Sequence, residues 1–239
     1  MIAVVLAAGR GARLGSDRPK ALLEFGGRTL LDRHFEHLQR LGVEPLVVTG
    51  FRADLIDAPW TVANPQYERG SVISLRVALD ALNAADGADA ARGSNEDLLL
   101  MDADVLYDGS ILADVAVLER GFALDARTEP GDEEMMLGVR DGRVRALRRG
   151  RLGEFEGFEL TGESVGFTKV DASSVPALRT AVEETDPEGD HEQALDRFVA
   201  RHGADYVLVG ERPWIEIDFA EDVERAEREI LPRLDAAGS

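Results

Sequence analysis

The chain of 239 residues has no cysteine, which excludes disulfide staples and thiolate metal sites. Lysine is almost missing too. Of 27 basic residues only Lys20 and Lys169 are lysine, and every other positive side chain is arginine. Aromatic residues are sparse, at 2 Trp, 3 Tyr and 9 Phe, and the 4 histidines are scattered. No apolar run approaches the ~20 residues of a membrane-spanning helix, so no membrane partner is expected. The amino terminus reads as a strand with no basic leader, so no signal peptide is expected and the cytoplasm is the expected location. Positive charge is in deficit overall: 46 acidic residues give a net charge of −19. Such a field repels phosphate polymers and argues against a nucleic-acid partner. A single nucleotide can still bind where basic residues cluster locally. The acid-rich, lysine-poor composition fits a salt-rich habitat, and equally a GC-rich genome that favours arginine codons.

What is present starts at residue 1. Ile2–Leu6 is a short apolar run rich in β-branched residues, the pattern of a buried strand. It breaks into Ala7-Ala8-Gly9-Arg10-Gly11-Ala12-Arg13-Leu14-Gly15, followed by Asp17-Arg18-Pro19-Lys20. Small residues and glycines let a backbone turn sharply and approach a ligand closely. Successive free N–H groups in such a loop form an anion-binding concavity. Arg10, Arg13, Arg18 and Lys20 surround it with positive charge, as a triphosphate requires. The loop is not the dinucleotide fingerprint, because its third glycine, Gly15, comes one residue late; nor is it a P-loop, which requires Gly-Lys-Ser or Gly-Lys-Thr. Lysine is a compact point charge on a flexible stem, whereas arginine is a planar fork. A lone lysine after the loop proline therefore marks a place where side-chain shape matters, and it suits contact with an α-phosphate.

The order of elements is regular. Thr29 caps an expected helix carrying Leu30, Leu31, Phe35, Leu38 and Leu41 and ending at Gly42; His34 and His37 are expected on its amphipathic surface. Strands are expected at Pro45–Gly50 and Thr61–Ala63, and a helix from Ser71 to about Ala85. Strand, helix, strand, helix, strand is the doubly wound parallel pattern, in which ligands bind beyond the carboxyl ends of the strands. Residues 87–95 read as a surface loop. Asp97–Asp102 is an apolar strand that delivers Asp102 and then Asp104 at its end. Two carboxylates there suit a divalent cation that keeps phosphate and water oxygens. Only one of the two is expected to touch the metal. From 135 to 170, short apolar runs alternate with glycines, an antiparallel meander unlike the first half; Phe155, Phe158 and Phe167 are concentrated in it. Trp214–Asp218 is expected as the last strand, a final helix at Val223–Leu231, and a frayed tail from Asp235. No repeat and no linker divides the chain, so one domain spans 1–239, with a lid subregion at about 128–170.

Three segments resemble a known family, the nucleotidyltransferases with a glycosyltransferase-A-like fold. Its signature Leu-Ala-Ala-Gly-x-Gly-x-Arg-Leu, a gap, then Pro-Lys is matched at Leu6–Leu14 and Pro19-Lys20. The Asp102-Ala103-Asp104 strand end and Trp214-Ile215-Glu216-Ile217-Asp218, followed by Glu221-Asp222, match its later motifs in order. The resemblance implies a three-layer, Rossmann-like α/β fold with a mixed, mostly parallel sheet and an antiparallel lid insertion. It implies catalytic roles for Lys20 and Arg13, and nucleotide contacts from Leu6, Ala7, Ala8, Gly9, Arg10, Gly11, Asn64, Ser71, Ser74 and Asp102. It places Mg2+ on Asp104 and Asp218. Glu163, Gly166, Phe167, Trp214 and Glu216 are expected to face the acceptor, where Phe155 and Phe158 either join the pocket or pack in the core.

The sequence looks most similar to the small phosphocholine-type cytidylyltransferases. That implies CTP as the favoured nucleoside triphosphate and a small phosphorylated or phosphonylated amino alcohol as acceptor, with pyrophosphate released. A homodimer is compatible with this. The alternatives are a sugar- or inositol-1-phosphate nucleotidyltransferase, a molybdopterin-cofactor nucleotidyltransferase, suggested by Gly70-x-x-x-Ser74-Leu75, and a non-catalytic nucleotide sensor.

Overall fold

Ile2–Ala7 buries both of its faces, as its unbroken apolar sequence requires. Ile2 and Val4 join one core with Leu46, Val48 and Leu100, while Ala3, Val5 and Ala7 join a second core with Val47, Leu99 and Met101. The computed structural model describes residues 1–15, 17–88, 96–129, 131, 134–150 and 152–238. Its strands in chain order are β1 (Ile2–Ala7), β2 (Glu24–Phe25), β3 (Arg28–Thr29), β4 (Glu44–Thr49), β5 (Thr61–Ala63), β6 (Leu98–Asp102), β7 (Val105–Tyr107), β8 (Gly121–Asp125), β9 (Met135–Arg140), β10 (Arg143–Arg149), β11 (Leu160–Val170), β12 (Asp205–Leu208) and β13 (Trp214–Glu216). The helices are α1 (Leu30–Leu41), α2 (Val72–Ala88), α3 (Gly109–Ala116), α4 (Val175–Glu183), α5 (His191–His202), α6 (Ala220–Arg225) and α7 (Leu231–Ala237).

Nine strands form one mixed sheet whose main path is β10-β9-β11-β6-β1-β4-β5, with β8 added to β11 and β12 to β8. β6, β1, β4 and β5 run parallel. Helices α2, α4 and α5 cover one face; α1 and α3 cover the other. This is the three-layer, Rossmann-like arrangement expected from the sequence. Parallel strands place the ends of β1 and β6 side by side, with Leu6 opposite Asp102. The phosphate loop and the aspartate pair therefore emerge at the same edge.

α1 begins and ends where its sequence dictates. Thr29 accepts from the Asp32 amide, Asp32 accepts in return from the Thr29 amide, and Gly42 closes the helix in the left-handed conformation. Its histidines correct the surface expectation: His34 is 0% exposed and His37 5%. The two imidazoles pack at 5.3 and 5.0 Å, between ring centres, from Tyr107 of β7.

The antiparallel segment is continuous with the main sheet. β11 pairs with β9 through Leu160–Glu163 and with β6 through Phe167–Val170, and its register on β8 shifts between Ser164 and Thr168. Residues 152–155 form a 3-10 turn, and Phe155 is buried with Met136 and Ala146. The last strand, β13, pairs with β7 in a separate two-stranded sheet. The carboxyl-terminal segment continues as α7 to Ala237 where fraying was expected. Most of the loop expected at 87–95 lies outside the described residues.

Candidate active site

The phosphate loop is shaped by two left-handed glycines. Gly11 and Gly15 both have φ near +63°, and the 3-10 turn Ala12–Leu14 lies between them. A Cβ on Gly11 would sit 2.6 Å from Cγ of Lys20, so only glycine lets the lysine stem cross the loop. Leu6, Ala7, Gly9, Gly11, Arg13, Lys20, Asp104 and Asp218 line a cavity of about 270 Å³. Lys20 donates to Asp104 Oδ2 at 2.9 Å and also to Asp218 Oδ1. Burial alone would lower the lysine's pKa, but Asp104 and Asp218 outweigh it and hold the ammonium above its ordinary value. Arg13 reaches Asp218 at 3.9 Å and stacks over the Phe219 ring at 5.2 Å. Arg10 points outward and stacks over Phe51 at 5.4 Å, while Ala8 faces the core.

Asp104, Glu216 and Asp218 bring carboxylate oxygens within 4.8 Å of one another. An all-oxygen donor set of this kind fits a hard divalent cation that takes its remaining ligands from phosphate and water. Asp102 and Asp104 part company, whereas residues two positions apart on one strand would share a face. Asp102 ends β6, whereas Asp104 lies in the turn before β7. Asp102 meets His191 Nε2 at 3.4 Å; His191 Nδ1 lies 3.1 Å from both Ser71 Oγ and a Glu192 oxygen. Burial, then the neighbouring Glu192 and Asp104, push the Asp102 carboxyl well above its usual range.

Three of the expected nucleotide contacts are engaged with neighbouring side chains or backbone. Asn64 is 1% exposed, donates to Ser74 Oγ at 3.0 Å and accepts from the Gln66 amide at 2.9 Å. Asn64 and Ser74 thus clasp the start of α2 to the end of β5. Ser71 accepts from the His191 amide at 2.9 Å and joins α2 to α5. Gly166, at φ +82°, allows β11 to pass Asp102, where a Cβ would lie 2.6 Å from its Oδ2.

The acceptor-side expectations divide. Phe167 is 0% exposed and packs edge-on against Tyr107 at 4.5 Å, so it is a core residue and does not face an acceptor. Glu163, Trp214 and Glu216 share a second cavity of about 660 Å³ that adjoins the first through Asp218. Trp214 and Glu216, two apart on β13, present the same face. Within this cavity Asp125 is occupied: it takes Arg127 Nη2 at 2.7 Å and the Trp214 indole N–H at 2.8 Å. Asp222 is occupied too, accepting the amides of Asp218 and Phe219 at 3.0 and 2.8 Å. Burial pushes the Glu163 carboxyl up to about 6, against a hydrogen bond with Thr128. The sequence reading missed His191, Glu192 and Phe219 as site neighbours. His191 opens a helix and Phe219 precedes one, and neither position carries a chemical signal without the fold around it.

Residues 3–116 match the family model of the MobA-like NTP transferase domain. Among curated relatives, UTP–glucose-1-phosphate uridylyltransferase AglF of Haloferax volcanii is 33% identical over 139 residues, covering 53% of this chain and 52% of its own. The chain spans about half the length of the curated relatives it matches first. Among solved structures, the inositol-1-phosphate CTP transferase of T. maritima aligns with a TM-score of 0.69 at 20% identity, over 98% of this chain and 95% of that one. CTP:phosphocholine cytidylyltransferase of Streptococcus pneumoniae aligns with a TM-score of 0.69 at 17% identity, over 95% and 97%. Residues 3–116, just under half of the chain, are thus similar to the MobA-like NTP transferase domain, and the whole chain shares its fold with solved nucleotidyltransferases.

Proposed function

We propose that this protein transfers CMP from CTP to a small phosphorylated or phosphonylated amino alcohol and releases pyrophosphate. The fold is shared with proteins named for inositol 1-phosphate and for phosphocholine, so side chains must make the choice. The observation that carries this reading is the pairing of Glu163 and Glu216 around Trp214 in the cavity beside Asp218. The aspartates there are already occupied, and Arg127 and Arg212 are tied to Asp125 and Asp114. What is left is mainly carboxylate and aromatic surface, with Arg225 beside Asp222 and Arg233 on the Glu211 carbonyl. An aromatic face attracts a quaternary ammonium by about 0.5–2 kcal/mol. A primary ammonium depends on carboxylate acceptors for its N–H donors.

In this reading Lys20 turns from the aspartates to the α-phosphate, and Arg13 steadies the same end of the loop. Mg2+ held by Asp104 and Asp218 would neutralise charge on the transferred phosphate. An acceptor oxygen forms the new bond to the α-phosphorus, and the bond to the β-phosphate oxygen breaks in line. The nucleophile is already an anion, so no general base is needed, and no histidine lines the 270 Å³ cavity. Catalysis is positioning and charge neutralisation.

A second reading, transfer to a sugar or inositol 1-phosphate, draws on the Haloferax relative and on the mixed Glu and Arg lining of the larger cavity, which also suits hydroxyl groups. Of the hydroxyl-bonding types that reading expects, Asn, Gln or Asp, the described residues lining that cavity include Asp125, Asp218 and Asp222 but no Asn or Gln, and these aspartates already hold internal partners. A pyrophosphate-release assay with four nucleoside triphosphates and a panel of acceptors decides between them. Fastest turnover with CTP and phosphocholine or 2-aminoethylphosphonate is expected. Fastest turnover with glucose 1-phosphate or inositol 1-phosphate would replace the first reading by the second.

A further inference from the structure

His34 is a polar side chain spent in the middle of an apolar core. It lies on α1 with 0% exposure, and burial, with His37 nearby, lowers its pKa to about 3. A phenylalanine or leucine would fill such a place without the cost of burying two ring nitrogens. What the imidazole does there is visible in its partners. Nδ1 and the Tyr107 hydroxyl are 3.1 Å apart. The Ala103 backbone acts on the ring electrostatically, but Nε2 has no hydrogen-bond partner among the described residues. Ala103 and Tyr107 stand on either side of Asp104 in the chain. Tyr107 is further held between His37 at 5.0 Å and Phe167 at 4.5 Å.

We propose that His34 is a positioning residue that fixes the Asp104 turn by holding Tyr107, three residues beyond Asp104, with its ring beside the Ala103 backbone. The Tyr107 hydroxyl donates to Nδ1, so the ring proton is on Nε2 and faces the Ala103 backbone. The same grip extends to the second aspartate. Tyr107 pairs with Trp214 across β7 and β13, and Ile217, one residue before Asp218, donates its amide to the Asp104 carbonyl at 2.9 Å. One buried imidazole thereby sets the spacing of two carboxylates that it never touches. This rests on the reading of Asp104 and Asp218 as cation ligands.

The cleanest probe is Tyr107→Phe, which deletes one oxygen and keeps the ring packing. His34→Leu removes the whole grip. His34→Gln keeps an acceptor and a donor on one side chain. Mn2+ binding is read by EPR titration on protein saturated with a non-hydrolysable CTP analogue. Leu178→Ala, in the core around α4, serves as a control for lost stability. Tyr107→Phe and His34→Leu are expected to weaken Mn2+ binding at least tenfold, His34→Gln to recover most of the loss, and Leu178→Ala to leave binding unchanged despite its lower Tm. Long-range 15N–1H spectra should show one non-titrating Nε2–H histidine whose signals are absent in His34→Gln. Equal Mn2+ affinity in wild type, Tyr107→Phe and His34→Leu would overturn the positioning role and leave the metal reading intact. If wild type bound no Mn2+, both would fall. A Leu178→Ala loss as large as that of Tyr107→Phe would reduce His34 to ordinary core stability.

Discussion

Ile217 donates its backbone N–H to the carbonyl of Asp104 at 2.9 Å. That bond joins the turn after β6 to the strand end that carries Asp218, so the two aspartates move as one unit. Lys20 is the half-buried cation between them, with side-chain exposure of 17% against 20% and 31% for Asp104 and Asp218. A cation supplied with the nucleotide would take over the neutralisation of the pair and free Lys20 for the phosphate.

Lys20→Ala is therefore expected to cost about 10²-fold in turnover, roughly 2.7 kcal/mol of transition-state stabilisation. It also leaves Asp104, Glu216 and Asp218 crowded without their internal cation. Thermal unfolding should drop in chelator and recover in millimolar Mg2+, a metal-dependent shift absent from wild type. Turnover near that of wild type would remove Lys20 from the phosphate.

Asp104→Asn and Asp218→Asn should each abolish activity that depends on a divalent cation. Asp102→Asn should be milder, because Asp102 faces His191 and Glu192 on the other side of the turn. Equal loss from all three, measured as the metal concentration giving half-maximal rate, would put Asp102 in the same site as Asp104.

The parallel half of the fold was legible because its signals are local. Thr29 and Gly42 mark the ends of α1, and apolar runs mark β1, β4 and β6. The approach of the glycine loop to Asp104 was legible because both follow parallel strands, whose ends lie side by side. Burial of His34 and His37 was not, because a histidine at i and i+3 reads as amphipathic until Tyr107 is known to lie beneath it. The internal partners of Ser71 and Asn64 were hidden for a related reason. A hydroxyl or amide at a helix start signals a hydrogen bond but not its partner, and here the partners are His191 and Ser74. Phe167 fell to the core because β11 reaches across β6, a pairing that depends on distant residues.

The two left-handed glycines of the phosphate loop separate backbone strain from steric fit. Gly15→Ala meets open space and pays only the left-handed backbone strain of about 1–2 kcal/mol. Gly11→Ala carries the same strain and in addition pushes against the Lys20 stem. Similar Tm losses are expected for both, with turnover falling at least tenfold more in Gly11→Ala. Equal turnover in the two variants would show that Lys20 does not need its path across Gly11.

If Glu163 faces the acceptor as proposed, it ties acceptor choice to pH. Its folded pKa of about 6 lies above the ordinary 4.5, because burial outweighs the Thr128 hydrogen bond and Glu134 and Asp125 add like charge. A carboxyl with a raised folded pKa stabilises the fold at low pH and loses that contribution as pH rises from about 4.5 through 6. Glu163→Gln should accordingly be more stable than wild type at pH 8, by about 1 kcal/mol after allowance for solvent screening, and no more stable at pH 4.5. Function should move the other way. In wild type, kcat/KM for a primary-amine acceptor should fall as pH drops through about 6, as Glu163 takes up a proton. In Glu163→Gln it should be low and flat across that window. A trimethylammonium acceptor, held more by the Trp214 face, should lose at least several-fold less than the amine. If Glu163→Gln treated the two acceptors alike and kept the wild-type pH profile, Glu163 would not face the acceptor's cationic end.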